Sequence, residues 1–321
     1  MDRNQSVNEF IIVGFSEITH YGEIFSLLFL LAYFIIITAN VVVTFVIFYD
    51  QRLHTPMYYF IGTLSLIEIC IISSVFPTFF PVVLLGETHI SLLCCISQMY
   101  LFHSLIITEN YLLNVMAFDR YIAIVHALRY HAIMTPRVCK ILIVGCWLFG
   151  FLTPLILLTM VSLMTFCGPN KIRHLFCDSS PLLTLSCAME SYSVFTEFAT
   201  TLLPTTITAL FIVITYFQIF IIILKMKTRE ECRKAIRICV SHIIAAFLFY
   251  GSGAFMYIKL EMSSYSSSFD LATAIHHSVV TPLLSPLIYS LPSTEIKKAV
   301  RKQFLSKKIF KSNQHMNAIA K

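Results

Sequence analysis

A few side chains able to do chemistry stand within long apolar runs of this chain: Glu68, Glu109, His103 and the adjacent pair Asp119-Arg120. Ionisable groups in such surroundings are costly and usually functional. Two carboxylates at one depth cannot both ionise cheaply, so Glu68 and Glu109 either share a proton or hold a cation such as sodium. The plainer alternative is a protonated, hydrogen-bonded pair. Asp119-Arg120 lies where the apolar run that begins near Cys95 gives out. It is either an ion pair that sets helix depth or a charge offered to a partner. Enzymatic chemistry is not indicated: H-E-x-x-H, G-x-S-x-G and G-x-x-x-x-G-K-[ST] are absent, and GSGAFM at 251–256 lacks the phosphate-loop pattern. No C-x2-C or H-x3-H pairing suggests zinc. No nucleic-acid partner is expected.

The elements that must position these groups are membrane helices. Of 321 residues, 57% are hydrophobic and 12% charged, with a mean hydropathy of +0.79; a soluble domain carries roughly 25% charged residues. A span needs about 20 mostly apolar residues, and seven segments qualify: 24–48, 58–83, 95–118, 140–165, 193–224, 238–260 and 271–291. The last contains His276, His277, Pro282 and Pro286, tolerable where neighbours satisfy the freed carbonyls. MDRNQSVNEF is polar and the first apolar run is too long for an h-region, so no cleavable signal peptide is expected.

Lys and Arg set the orientation. With the N-terminus outside, only Arg3, Lys171, Arg173 and Lys259 face outward, and the other 19 of 23 face inward. The expectation is an all-α membrane protein: a seven-transmembrane helix bundle (24–291) with an extracellular N-terminus (1–23) and a cytoplasmic helix and tail (292–321). In KKAVRKQFLSKK, Ile296, Val300 and Phe304 recur at helical spacing, which predicts a short amphipathic helix on anionic lipid of the inner leaflet. Asn4-Gln5-Ser6 is an N-glycosylation sequon.

The third span reads as a ruler. Positions 95, 99, 102, 106, 110, 113, 117 and 120 share one helical face, and Cys95 to Arg120 is about 37 Å at 1.5 Å per residue. One face therefore joins an outer cysteine, a mid-membrane stripe and an inner arginine.

At this point the motifs accumulate: LHTPMYYF at 53–60, MAFDRYIAI at 116–124, FCGPNKIRHLFCDSSPLLTLSC at 166–187, KAIRICVSH at 234–242, FYG at 249–251 and TPLLSPLIYSL at 281–291. In this order and spacing, over nearly the whole chain, they resemble the rhodopsin-like G-protein-coupled receptors and, more closely, the odorant (olfactory) receptors. That resemblance implies a plasma-membrane receptor that binds small, mostly apolar volatile odorants. It would activate a heterotrimeric, stimulatory (olfactory-type) G protein and raise cAMP. The rival is a seven-span ligand-gated channel or transporter, but no polar pore stripe or paired broken helices are seen.

The resemblance also assigns residues. Ligand contacts fall at Phe102, His103, Ile106 and Ile107, then Phe195 and Thr206, then Tyr250, Gly253, Ala254 and Tyr257, and Ser278. No acid lies near Phe102, which suits neutral ligands, with His103 and Tyr257 each supplying one hydrogen bond. Asp119, Arg120 and Tyr121, with Tyr216, His242 and Tyr289, match the switch that meets the G protein. Cys95 would pair with Cys177 and Cys167 with Cys187, holding the outer loop as a lid. Asn40, Glu68, Glu109 and Ser285 would line a small polar cavity in which a sodium ion is the expected cofactor if there is one. Glu68 stands where aspartate is usual and Ser285 where asparagine is. Val125, Ala127, Arg237, Pro292 and Ser293 also depart from the family pattern. These changes imply coupling that is weak or unusually basal.

Overall fold

The computed structural model describes residues 9–14, 22–166, 170–183, 185–187, 199, 202–261, 267–290 and 293–303, with the backbone alone at 234, 238, 252–261 and 267–270. Within these residues seven helices are long and apolar enough to cross a membrane: α1 Gly22–Tyr49, α2 Pro56–Leu85, α3 Leu92–Val125, α4 Pro136–Leu163, α5 Leu203–Leu224, α6 Arg229–Glu261 and α7 Leu271–Ser290.

Local chemistry sets their ends. Pro56 and Pro136 open α2 and α4, where a missing N–H is harmless. Thr135 Oγ1 accepts from the Val138 N–H, and Ser91 Oγ accepts from the Cys94 N–H at the start of α3. Glycine closes α2: Gly86 sits at φ 85°, a left-handed cap that costs glycine nothing. In α7, Pro286 cannot donate to the carbonyl four residues back. Asn40 of α1 replaces that donor, its Nδ2 giving a hydrogen bond to Pro282 O at 3.1 Å.

The bundle turns one stripe of each helix inward and leaves the rest apolar outside. Phe29, Ile36, Ile67, Ile71, Met99, Leu112 and Met116 are buried, whereas Leu27, Phe34, Val144, Val213, Phe217 and Phe247 are exposed. In water such a surface would drive association; in hydrocarbon it is the solvated face. α3 packs against α2, α4, α5 and α6. Its approach to α4 is close enough that a Cβ on Gly150 would lie 2.0 Å from Thr108 Oγ1.

Several boundaries differ from the hydropathy reading. α3 runs on to Val125, and α6 begins at Arg229 rather than 238 because REECRKAIR is a charged helical stretch of about two and a half turns that hydropathy discounts. α4 is interrupted at Thr153-Pro154. For α5, positions 193–198 and 200–201 lie outside the described residues. A helix over 294–303 follows α7; Ser293 Oγ caps it by accepting from Ile296 N at 3.1 Å.

One element was not anticipated. β1 (Glu9–Val13) pairs antiparallel with β2 (Glu87–Ser91) and parallel with β3 (Lys171–Arg173), giving the order β2-β1-β3. Phe10 and Ile12 alternate inward and are fully buried. This strand closes one end of the bundle, hereafter the sheet end.

Candidate functional site

Three tiers of polar groups are strung along α3. At the sheet end Cys95 and Cys177 form a disulfide across 82 residues of sequence. Gln98 adds a second tether. Its Oε1 accepts from Cys177 N at 3.1 Å, and its Nε2 donates to Ser74 O at 2.9 Å and Thr78 Oγ1 at 2.7 Å. Cys187 is also disulfide-bonded; its expected partner Cys167 lies outside the described residues.

Beneath the loop, Phe102 packs its ring 4.8 Å from Phe176. His103 is already engaged: Nδ1 donates to Met99 O at 3.0 Å, which leaves Nε2 to accept from Ser179 Oγ at 3.2 Å, with Asp178 Oδ1 3.6 Å away. Ile106 packs on the core and Ile107 is half-buried. Thr206 donates to Leu202 O at 2.8 Å, and the buried Ser278 donates to Ala274 O at 2.5 Å. Gly253 is described by its backbone alone, and the side chains of Ala254 and Tyr257 and all of Phe195 lie outside the described residues.

The middle tier has two clusters. Tyr250 of α6 donates to Asn110 Oδ1, while Asn114 Nδ2 donates to the Tyr250 hydroxyl at 3.0 Å and to Asn110 O at 2.8 Å. Sequence reasoning singled out Tyr250 but not the two asparagines. Their signal was available: both are amides in an apolar run, one helical turn apart.

In the second cluster Ser285 Oγ donates to Glu68 Oε1 at 2.6 Å. Glu68 and Glu109 are both buried and close enough for each to sense the other's charge, and Tyr289 senses both. Asn40 Oδ1, Glu68 Oε2, Glu109 Oε2 and Tyr289 Oη are buried with no hydrogen-bond partner among the described residues. Buried polar atoms are seldom left so. A set of hard oxygens of this kind suits a proton or a small hard cation.

At the other end Asp119 is fully buried. Arg120 bonds it through Nη2 and, at 3.0 Å, through Nε to the same Oδ2. The remaining oxygen, Oδ1, accepts from the Tyr130 hydroxyl at 2.8 Å. Burial and the Asp119 charge push the Tyr130 phenol above its ordinary range, so it stays a donor. Tyr121 packs between the main core and a smaller cluster of α5 and α6. His242 ties three helices: Nε2 donates to Leu113 O at 2.9 Å, and Nδ1 accepts from the Tyr216 hydroxyl at 2.6 Å. Tyr216, Cys239 and His242 lie within electrostatic reach of Arg120. Among the departures, Val125 ends α3 half-buried, while Ala127 and Arg237 are exposed. Asn4 and Pro292 lie outside the described residues.

A seven-helix membrane bundle with a buried acid-arginine clasp at one end of its third helix and a disulfide-tethered loop at the other has the architecture of a signalling receptor. The family model "Olfactory receptor" matches residues 29–307. The chain is 41% identical to Olfactory receptor 6N1 of Homo sapiens, over 92% of this chain and 95% of that protein. It is 38% identical to Olfactory receptor 6E1 of Mus musculus, over 94% and 96% respectively. The chain belongs to the olfactory receptor family. It is thus a signalling receptor rather than an enzyme, and a channel or transporter is not favoured.

Proposed function

We propose that this chain binds small, mostly apolar volatile odorants below the sheet, between α3, α5, α6 and α7. Binding then activates a stimulatory, olfactory-type G protein at the Arg120 end and raises cAMP. The observation that carries this reading is the course of α3, which leads from the tethered loop at Cys95 and His103 to the Asp119–Arg120–Tyr130 clasp. From His103 to Arg120 is about 25 Å at 1.5 Å per residue.

The mechanism is a population shift. In the resting state Asp119, itself bonded by Tyr130, holds Arg120, and α6 is tied to α3 by Tyr250–Asn110 and His242–Leu113. An odorant favours a state in which α6 moves outward, those ties yield, and Arg120 meets the C-terminal helix of the G protein. On this reading the N-terminus and the sheet face outward, and the basic end is cytoplasmic at the plasma membrane. The oxygens of Asn40, Glu68, Glu109 and Ser285 would hold a sodium ion, which would offset the two carboxylate charges and favour the resting state. The exposed Ala127 and Arg237 alter the surface offered to the G protein, consistent with weak or unusually basal coupling.

The test is a cAMP reporter assay with an odorant panel in cells carrying the olfactory G protein. A ligand-dependent signal that Arg120→Ala abolishes at intact surface expression supports the proposal. Conductance or transport without any G protein refutes it.

A further inference from the structure

The described donors expected to meet a ligand are already spent. His103 uses Nδ1 on Met99 O and receives Ser179 Oγ at Nε2, so neither nitrogen is open. Thr206 gives its proton to Leu202 O and Ser278 gives its own to Ala274 O. The Tyr250 proton goes to Asn110 Oδ1.

One donor is left over, at a residue that the expected ligand contacts did not include. Asn110 is only 3% exposed, yet its Nδ2 makes no hydrogen bond with a described residue. The network fixes which atom this is. Asn114 donates to the backbone oxygen of Asn110 at 2.8 Å, so the donating atom is nitrogen, and it also reaches the Tyr250 hydroxyl at 3.0 Å. The Tyr250 proton then points to Asn110, whose atom there is oxygen. That Oδ1 is full, since it takes Tyr250 and, at 3.4 Å, Asn114. Nδ2 faces the other way, and a buried amide nitrogen is seldom left without a partner.

Its place in the helix says what could meet it. His103, Ile107, Asn110 and Asn114 recur at three or four residues and share one face of α3. Asn110 lies about 10 Å beyond His103 at 1.5 Å per residue, and it is joined to Tyr250 of α6. It thus stands at the floor of the cleft proposed above for odorants. The turn between carries the apolar Ile106 and Ile107.

We infer that this cleft selects odorants whose one polar group is a carbonyl: an aldehyde or ketone whose oxygen accepts from Asn110 Nδ2 while its hydrocarbon body packs on Ile106 and Ile107. A hydrocarbon leaves the amide donor buried and unpaired, which costs free energy. An alcohol also reaches Nδ2, but it brings a proton that the filled Oδ1 cannot take. The inference rests on the odorant reading and deepens it. One amide holds α6 through its oxygen and the odorant through its nitrogen.

Purified full-length receptor in nanodiscs is titrated with aldehydes and ketones of varied skeleton, each beside the alcohol and hydrocarbon of that skeleton, such as menthone, menthol and menthane. Affinity is read from thermal stabilisation, which needs no G protein. The carbonyl member should bind about tenfold or more tightly than its hydrocarbon, and several-fold more tightly than its alcohol. Asn110→Leu, similar in size without the amide, should bring the carbonyl-to-hydrocarbon ratio to about one, whereas His103→Phe should leave that ratio unchanged. The ratio is taken within one protein, so a loss of stability or a rise in basal signal does not enter it. In the wild-type receptor the carbonyl stretch of the bound ligand should move to lower frequency, a measurement that requires no variant. Equal binding within the sets, as when water fills the place beside Nδ2, would overturn the proposal. So would an unshifted stretch, or a ratio that follows His103 and ignores Asn110. If no carbonyl binds while other odorants raise cAMP, the carbonyl assignment falls and the odorant reading stands; if nothing binds or signals, both fall.

Discussion

Removing one hydroxyl, by Tyr130→Phe, tests the clasp at its least obvious member. Asp119 is fully buried, and its two oxygens are divided between Arg120 and Tyr130. The variant keeps the ring and leaves Oδ1 with no donor. A hydrogen bond to a charged group contributes about 1.5–3 kcal/mol. Tyr130 is only half-buried, so water competes and the lower figure applies. About 1.5 kcal/mol is roughly a tenfold shift in the resting-to-active ratio. An active minor state of about 1% would rise to about 10%. The measurement is basal cAMP at matched surface density, with Asp119→Asn as a reference. Because both changes act on one clasp, the effect of the double variant should fall short of the sum of the two single effects. Basal signal at the wild-type level in Tyr130→Phe, at equal surface density, would show that this bond is not what restrains the receptor.

Gly150→Ala places a methyl 2.0 Å from Thr108 Oγ1 and 2.9 Å from its Cα. Part of that contact is backbone, so the variant should lose about 1–3 kcal/mol and melt earlier. Gly145→Ala, with nothing within 4 Å of its Cβ, is the neutral control, and equal melting of the two would refute the packing argument. Tyr216→Phe strips the donor from a fully buried His242 nitrogen and should cost about 1–3 kcal/mol of thermal stability; unchanged melting would mean that water replaces it. Sodium should raise the melting temperature of the wild-type receptor and lower its basal signal, and Glu109→Gln should flatten both titrations. A sodium response that survives this change counts against the cation reading.

The spans and the family were legible in the chain because both are local in sequence. Hydrocarbon admits only helices and closed barrels, and runs of about 20 apolar residues suit helices, so composition locates α1 to α7; Pro56, Thr135 and Gly86, which set their ends, went unused in the hydropathy reading. The boundaries that slipped were those where helix outruns membrane: Arg229 to Arg237 form a helix on charged residues, which hydropathy discounts. β1 escaped notice because five residues, EFIIV, form a strand only when β2 and β3, distant in sequence, present their edges to it.

The candidate site divides in the same way. Asp119, Arg120, Glu68 and Glu109 stand out by type and position, a charge where the surroundings are apolar, whereas Cys95, Cys177 and His242 were marked by the family resemblance. Their partners do not. Tyr130 looks like any interfacial tyrosine until the turn after α3 brings its hydroxyl to Asp119. Asn110 and Asn114 gain their role only once α6 delivers Tyr250 to them, and Asn40 gains its own only because Pro286 has orphaned a carbonyl on a helix 242 residues away. By itself, the sequence determined which groups must be buried in hydrocarbon, since that cost is a property of each side chain. Only the tertiary structure decided what offsets the cost, because a hydrogen bond at 2.8 Å depends on where two helices meet, and no spacing along one helix records it.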